Sequence, residues 1–384
     1  MPTMTSADLR IHNQVRLLRA VHDAPEPLTR ASAARRMAIG RNTAAALVGE
    51  LEEAGLLHEV PAESGGRGRP TTRLVPHPAG PIAFAADVRE DSWTLAAIEL
   101  GGAMRVLDTG EHDRTPGVFA EIREAVRRHA TGRLAALGIA MAGPIRDGRR
   151  LHISHLGWDE VDLDEQLGAD LPPTAADNDA RLAGLAEARR GALRGVGTGL
   201  HFHIDFDIGG TLLLGGGAQR GAHNIAGEFG HMPLTGSPLR CMCGVQGCWS
   251  LDVGTNALMR HFGEEPGYGA GRGFARRVLE RADDGDPEAA RAVDRNAAAL
   301  GRGLGALANA LDPEAISLSG LGVDLLRRRR ERVEEACRAG LMEFRRAEPP
   351  RIVEGTVGEI GPLRGAAEVA FDAILTPEWL RRRL

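Results

Sequence analysis

Three of the four cysteines, Cys241, Cys243 and Cys248, fall within eight residues of sequence, and His231 precedes the first of them by ten. Two thiolates one residue apart, a third after a turn carrying Gly244 and Gly247, and an imidazole form a Cys3His set. Four such donors close a tetrahedral zinc shell and leave no position for a catalytic water, so the expected metal is structural Zn2+. The plain alternative is a buried histidine beside unrelated small thiols. With only four cysteines in 384 residues, the clustering weighs against it. A metal constrains the fold wherever it binds, because residues 221–250 must then be pinned. Glu228, one helical turn before His231, is carried with them, and a carboxylate held that firmly is suited to accept hydroxyl hydrogens.

A chain of this length predicts more than one domain. It contains no apolar run of membrane-spanning length and no signal-peptide core near its N-terminus. Thiols used for metal rather than disulfides fit a reducing compartment, and a cytoplasmic location is expected. All 47 basic residues are arginine, and the net charge of −5 is unevenly spread. Residues 1–80 hold ten arginines against eight carboxylates, about +2, leaving about −7 for the remainder. That excess permits a nucleic-acid module without requiring one.

The first segment reads as three helices and a hairpin. Ile11, Val15, Leu18 and Val21 recur at helical spacing over residues 7–22. Thr29 can cap a second helix through Met37, Ala38 to Gly40 make a turn, and a third helix runs from Arg41 to Ala54, stopped by Gly55. Strands at 56–60 and 72–75 enclose a tip, Gly66-Arg67-Gly68-Arg69-Pro70. This is the order of a winged helix-turn-helix. Arg41, Asn42 and Thr43 then sit at the exposed start of the helix that would enter a major groove. Arg67 and Arg69 suit the strongly negative minor groove of A·T-rich DNA. A solvated helical bundle with a flexible linker is the bland alternative.

From residue 81 the pattern becomes α/β. Strands are expected at 82–88, 93–100, 106–109 and 136–141, with a helix at 115–130. Ala176-Asp177-Asn178-Asp179 closes a strand and opens an alanine-rich helix, so Asn178 and Asp179 lie at a strand-to-helix junction. There they serve equally well as ligand contacts or as helix caps. Residues 201–208 and 211–214 read as a strand pair turning through Gly209-Gly210. Helices follow at 253–262, 273–284, 287–311, 324–344 and 365–375, with a strand at 315–319.

These stretches together resemble the ROK family of repressors, open reading frames and sugar kinases, in its transcriptional-regulator branch. The carrying segments are LGIAMAGPIRDG (137–148), ADNDARLAGLAEARRG (176–191), RGAHNIAGEFGH (220–231), CMCGVQGC (241–248) and PLRGAAEVAFDAIL (362–375). RNTAAALVGELEEAGLLHE (41–59) with GRGRP (66–70) matches the regulators' DNA-binding half. The resemblance implies a winged helix-turn-helix at 1–78. Behind it, at 79–384, comes a two-lobed actin/hexokinase-like (ribonuclease H-like) α/β body with sugar in the interlobe cleft. It carries sugar-contact roles onto Asn178, Asp179, Glu228 and His231, and makes Asp179 the counterpart of the kinases' general base. His231 would hold zinc through one ring nitrogen and face sugar with the other.

The departures from the kinases matter as much. Family kinases carry Asp-x-Gly-Gly-Thr in their first turn, where this chain has Asp87-Val88-Arg89-Glu90-Asp91. Their second phosphate loop, Gly-Ile-Gly-x-Gly, reads Asp207-Ile208-Gly209-Gly210-Thr211 here. Each misplaced carboxylate at a phosphate site costs on the order of a kcal/mol or more, so ATP chemistry is not expected. After the third cysteine the family has a hydrophobic residue and a sugar-contacting Glu. Here Trp249 offers a stacking face, and Ser250 a short hydroxyl. The expectation is a sugar-responsive DNA-binding regulator, a repressor acting as a homodimer on operator DNA, and not an enzyme. An ATP-dependent sugar kinase and an effector-independent DNA-binding protein are the rivals.

Overall fold

The computed structural model describes residues 5–61, 72–266 and 268–384. Helix α1 (Ser6–His22) opens with a reciprocal cap between Thr5 and Asp8, and α2 (Arg30–Met37) with one between Thr29 and Ser32. The turn to α3 (Arg41–Glu53) passes through Ala38 at φ 55°, the left-handed region that costs a residue with a Cβ. Gly55, at φ 65°, ends α3, and β1 (Leu57–Pro61) pairs antiparallel with β2 (Thr72–Pro76). The expected order of three helices and a hairpin is therefore present. The tip with Arg67 and Arg69 lies outside the described residues. Leu17, Leu18, Leu47, Val48, Leu51 and Leu74 fill the module, and their cluster runs on into Phe371 and Leu380 of the C-terminal segment.

The first lobe is built on β3 (Ile82–Val88), β4 (Ser92–Glu99), β5 (Met104–Glu111), β6 (Leu134–Met141) and β10 (Thr174–Asn178). They form one sheet in the order β10-β6-β3-β4-β5, with β3 parallel to β6 and antiparallel to β4. All seven residues of β3 are buried, as a strand covered on both faces must be. Helix α4 (Val118–His129) covers one face through Phe119, Ile122 and Val126. Between β6 and β10 the chain makes a small antiparallel sheet, β7 (Ile145–Arg146), β8 (Arg150–Ile153) and β9 (Trp158–Asp162), then a short helix α5 (Leu163–Leu167). The sequence patterns left that insert unread.

Helix α6 (Asp179–Arg190) leads into the second lobe, whose sheet runs β13-β12-β11-β14-β15. Its strands are β11 (Thr198–Ile204), β12 (Ile208–Leu214), β13 (Gly217–Ala218), β14 (Ala315–Gly320) and β15 (Arg351–Glu354). The β11–β12 turn is residues 205–207, not Gly209-Gly210, which lie within β12 opposite His203 and Phe202. Those glycines serve packing rather than turning. A Cβ on Gly209 would come 2.5 Å from that of Ala180, and one on Gly210 2.9 Å from the Phe202 and Phe229 rings. Helices α7 (Thr255–His261), α8 (Tyr268–Asp283), α9 (Pro287–Leu311) and α10 (Leu321–Gly340) pack on this lobe.

Helix α11 (Gly361–Ile374) returns to the first lobe and lies on β3, β6 and β10, before the last short helix α12 (Pro377–Arg381). It also packs along α6, which in turn rests on β11 and β12, so the two helices form the layer between the lobes. Gly138 and Gly365 permit that closeness. A Cβ on the first would fall 1.8 Å from the Ala366 carbonyl, and one on the second 2.0 Å from that of Leu182. Among the described residues, no helix is long and apolar enough to cross a membrane.

Candidate functional site

A cavity of about 550 Å³ opens between the lobes. It is walled by the β3–β4 turn, the loop after β6, the β7–β9 insert, the start of α6, the β11–β12 turn and the cysteine loop. Asn178, Asp179, Glu228 and His231 all line it, so the four residues expected to contact sugar converge from two distant segments. Asn178 does cap α6, accepting from the Arg181 amide at 3.1 Å, while its side-chain amide donates to the Gly143 carbonyl at 3.3 Å. The cap is therefore present, and both residues of the junction also face the cavity.

Asp179 accepts one backbone bond, from Ala180 at 2.7 Å. Burial first, and then the nearby Asp87 carboxylate, push its carboxyl up to about 8, although part of the side chain reaches the cavity. The loop just before Glu228 is held by Arg181, a buried guanidinium the sequence reading passed over. Arg181 donates to Asp177 at 2.5 Å, to the Asn224 side chain at 3.0 Å, and to the carbonyls of Asn224 and Ala226 at 3.1 and 2.9 Å. Asn224 adopts φ 59° and donates to the Ile145 carbonyl at 2.8 Å. Asn tolerates the left-handed region better than most residues with a Cβ, so it suits this turn. No local pattern flagged Arg181, since Asp177 lies in β10 and Arg181 in the first turn of α6.

The metal donors fit their expected ion. The His231 ring and the Cys241, Cys243 and Cys248 sulfurs each offer an atom lying within 4.8 Å of the others. Cys243 and Cys248 sulfurs are 3.5 Å apart, and His231 Nδ1 is 3.6 Å from the Cys241 sulfur. Sulfurs at about 2.3 Å around a tetrahedral zinc are separated by about 3.8 Å, so the set needs only a small adjustment to hold zinc. His231 Nε2 points the other way, 3.7 Å from Glu228 Oε2. A Cys3His set can thus order the loop and leave one ring nitrogen for the cavity.

Where kinase relatives need glycine and open amides, this chain places ions. Arg272 of α8 reaches Asp205 at 2.6 Å and Glu90 at 3.2 Å, joining the β3–β4 turn of one lobe to the β11–β12 turn of the other. Glu90 is buried, and burial holds its carboxyl above the ordinary range despite Arg272. Arg89 pairs with buried Asp87 at 3.0 Å and donates to the Glu359 carbonyl at 3.2 Å. Burial pushes Asp207 up to about 6. Arg272 and Asp205 carried no legible motif, because nothing local ties residue 272 to residues 90 and 205.

Trp249 and Ser250 fall elsewhere than expected. Trp249 is 1% exposed, bonds the Ala299 carbonyl at 2.8 Å and packs edge-on to Phe202, so it offers no stacking face to a ligand. Ser250 is equally buried, accepts from the Ile208 amide at 3.4 Å, and is absent from the cavity wall. Of the DNA candidates, Arg41, Asn42 and Thr43 are exposed at the start of α3.

Residues 105–373 match the ROK family model. A glucokinase of Halalkalibacterium halodurans is 28% identical over 237 residues, 56% of this chain and 71% of that one. A xylose repressor of Bacillus spizizenii is 23% identical over 245 residues, 61% of this chain and 64% of that one. A crystal structure of a ROK family transcriptional regulator, a homolog of the Escherichia coli MLC protein, superposes with a TM-score of 0.75 at 22% identity, covering 98% of both chains. With the two-lobed body, the metal-donor loop and a match over most of its length, the chain belongs to the ROK family.

Proposed function

We propose that the protein is a sugar-responsive transcriptional regulator, most simply a repressor. Residues 1–78 would bind operator DNA, and residues 79–384 a sugar or sugar derivative in the interlobe cavity. The observation that carries the reading is α6. Its first residue is Asp179 and its cap Asn178, both lining the cavity, while its last residue, Arg190, reaches the N-terminal module at His22. Arg190 donates to the His22 carbonyl at 3.2 Å and meets the His22 ring at 2.9 Å, and Glu368 of α11 joins His22, Arg189 and Arg190. At about 1.5 Å per residue, this one helix of about 18 Å runs from the cavity to the N-terminal module.

The mechanism is linkage. A sugar accepted by Asn178, Asp179, Glu228 and His231 favours one closure of the lobes, and α6 and α11 carry that preference to the module. Sugar can change DNA affinity only by its differential affinity for the two arrangements. Arg41, Asn42 and Thr43 would read the major groove and Arg67 and Arg69 the minor groove, in a homodimer on a pseudo-palindromic site in the cytoplasm. Structural zinc on His231, Cys241, Cys243 and Cys248 would fix one cavity wall and supply no chemistry.

The kinase alternative rests on Asp179, a carboxyl tuned upward as a base should be. What weighs against it is the carboxylates in both turns where family kinases carry glycine, with Glu90 and Asp205 bridged by Arg272 across the lobes. Glucose, xylose and acetamido-hexoses should therefore shift the melting temperature without consuming ATP. ATP turnover on any of them would reverse the assignment.

A further inference from the structure

The second-lobe sheet carries a polar chain that none of the roles above uses. His201 and His203 share one face of β11, Ser317 and Ser319 one face of β14, and the parallel register sets His201 beside Ser317 and His203 beside Ser319. His201 Nδ1 lies 2.8 Å from Ser317 Oγ, Ser319 Oγ lies 3.1 Å from His201 Nε2, and His203 Nδ1 lies 2.8 Å from Ser319 Oγ. His201 and Ser317 are fully buried and Ser319 nearly so, whereas His203 lines the cavity. The four groups form a wire from the core to the site.

Burial pushes His201 down to about 3 and lowers His203, so both rings are neutral at pH 7 and each carries one hydrogen. The hydrogens can then run in one of two directions. In the first, Ser317 donates to His201 Nδ1, His201 Nε2 to Ser319, and Ser319 to His203 Nδ1, so every buried hydrogen has an acceptor. In the reverse, His203 Nδ1 donates inward and Ser317 is left with a fully buried hydroxyl hydrogen for which no acceptor exists among the described residues. A stranded buried hydroxyl carries a penalty on the scale of a lost hydrogen bond. A mixed arrangement turns the Ser319 hydroxyl to the Phe202 carbonyl at 3.4 Å, well beyond ordinary O–H···O range. The first direction wins.

We propose that this wire fixes His203 as a neutral Nε2–H donor in the cavity, where it contacts an acceptor oxygen of the bound sugar or sugar derivative. The contact rests on the effector reading; the polarity of the ring does not. His203 and Asp179 line the same cavity, so one ligand there can meet both. A donor that cannot become an acceptor demands a hydroxyl, ether or carbonyl oxygen at that point and selects against an ammonium group.

The test is ¹⁵N NMR of the histidine rings in the full-length, zinc-loaded protein, with His203 assigned through His203→Asn, followed by titration with D-glucose and D-xylose. Wild type should show a bare Nδ1 and a hydrogen-bearing Nε2, and a saturating sugar should move the Nε2 signal. Ser319→Ala should weaken that sugar by about fivefold, the scale of one neutral hydrogen bond. Ser317→Ala, which keeps the cavity wall intact and is the milder change, should mix the two tautomers of His203. A bare Nε2 in wild type overturns the proposal, as does a sugar that saturates the protein while leaving that signal still. If neither of these sugars nor N-acetyl-D-glucosamine binds, the effector reading falls and the contact with it, whereas the ring polarity is still read directly.

Discussion

Glu368→Ala should do two separable things. Glu368 is 2% exposed and accepts from Arg189 at 3.1 Å and Arg190 at 2.5 Å, with the His22 ring at 3.2 Å. Removing one member of a buried ion cluster typically costs about 3–5 kcal/mol, because the partners stay buried without their counter-charge. Asp372 still holds Arg189 at 2.7 Å, which places the expected loss near the lower figure. About 3 kcal/mol is a factor of more than 100 in the docking of the N-terminal module on the body. The sugar-induced change in DNA affinity should then shrink below about twofold, while DNA binding by the free protein stays within a few-fold of wild type. Burial raises the Glu368 carboxyl, but the His22 hydrogen bond and the charges of Arg190 and Arg189 outweigh it and hold the group far below its ordinary range. Its contribution is therefore present above the ordinary glutamate value of about 4.3 and lost as pH falls below it. Thermal melts from pH 8 to pH 3 should show a gap between wild type and variant that persists to pH 5 and narrows beneath about pH 4. Operator binding by fluorescence anisotropy, with and without sugar, reads the coupling. A variant that melts like wild type and keeps the full sugar response would refute the junction's role.

Other perturbations probe single links. Asp179→Asn should match wild type in stability below about pH 4 and gain on it as pH rises to about 8. The unfolded aspartate ionises from about 3.9 upward while the folded one resists until about 8; a pH series of melting temperatures measures it. Arg272→Ala strands buried Glu90 beside Asp205 and should lower stability by about 1–2 kcal/mol, less than a fully buried pair because Arg272 is 32% exposed; denaturant titration reads that loss, and a phosphate-release assay should still find no ATP turnover. Purified protein should carry one zinc per chain by metal analysis, and Cys243→Ala should lose it together with sugar affinity while leaving the first-lobe sheet intact by circular dichroism. Gly365→Val, which drives a side chain into the Leu182 carbonyl, should unfold the α6–α11 layer, visible as loss of cooperative melting.

The sequence was most legible where the pattern is local. The three helices and the hairpin, the buried β3, the α6 junction and the four metal donors all follow from periodicity, caps and donor spacing. It was least legible where packing decides. Gly209 and Gly210 look like a turn and are instead the flat face on which Ala180 and Phe229 rest. Trp249 looked like a ligand platform because aromatic residues near a site invite that reading, yet its indole fills the hollow left by Gly303 of α9. Arg272 reaches two carboxylates 182 and 67 residues away, a relation no window of sequence contains. Ser250, read as a short hydroxyl in place of the family's sugar-contacting Glu, does not line the cavity, whereas Glu228 and His231 of the same loop do.

The proposed regulation stands on linkage between the cavity and the N-terminal module. Its most direct test is the dissociation constant of the full-length protein for DNA upstream of its own coding sequence, by anisotropy at fixed salt, across a titration of D-glucose, D-xylose and acetamido-hexoses. The account predicts that a sugar which raises the melting temperature also shifts that constant by about tenfold or more, 1.4 kcal/mol of coupling, and that Asp179→Ala abolishes both effects together. A sugar that binds tightly while DNA affinity stays unchanged would contradict it.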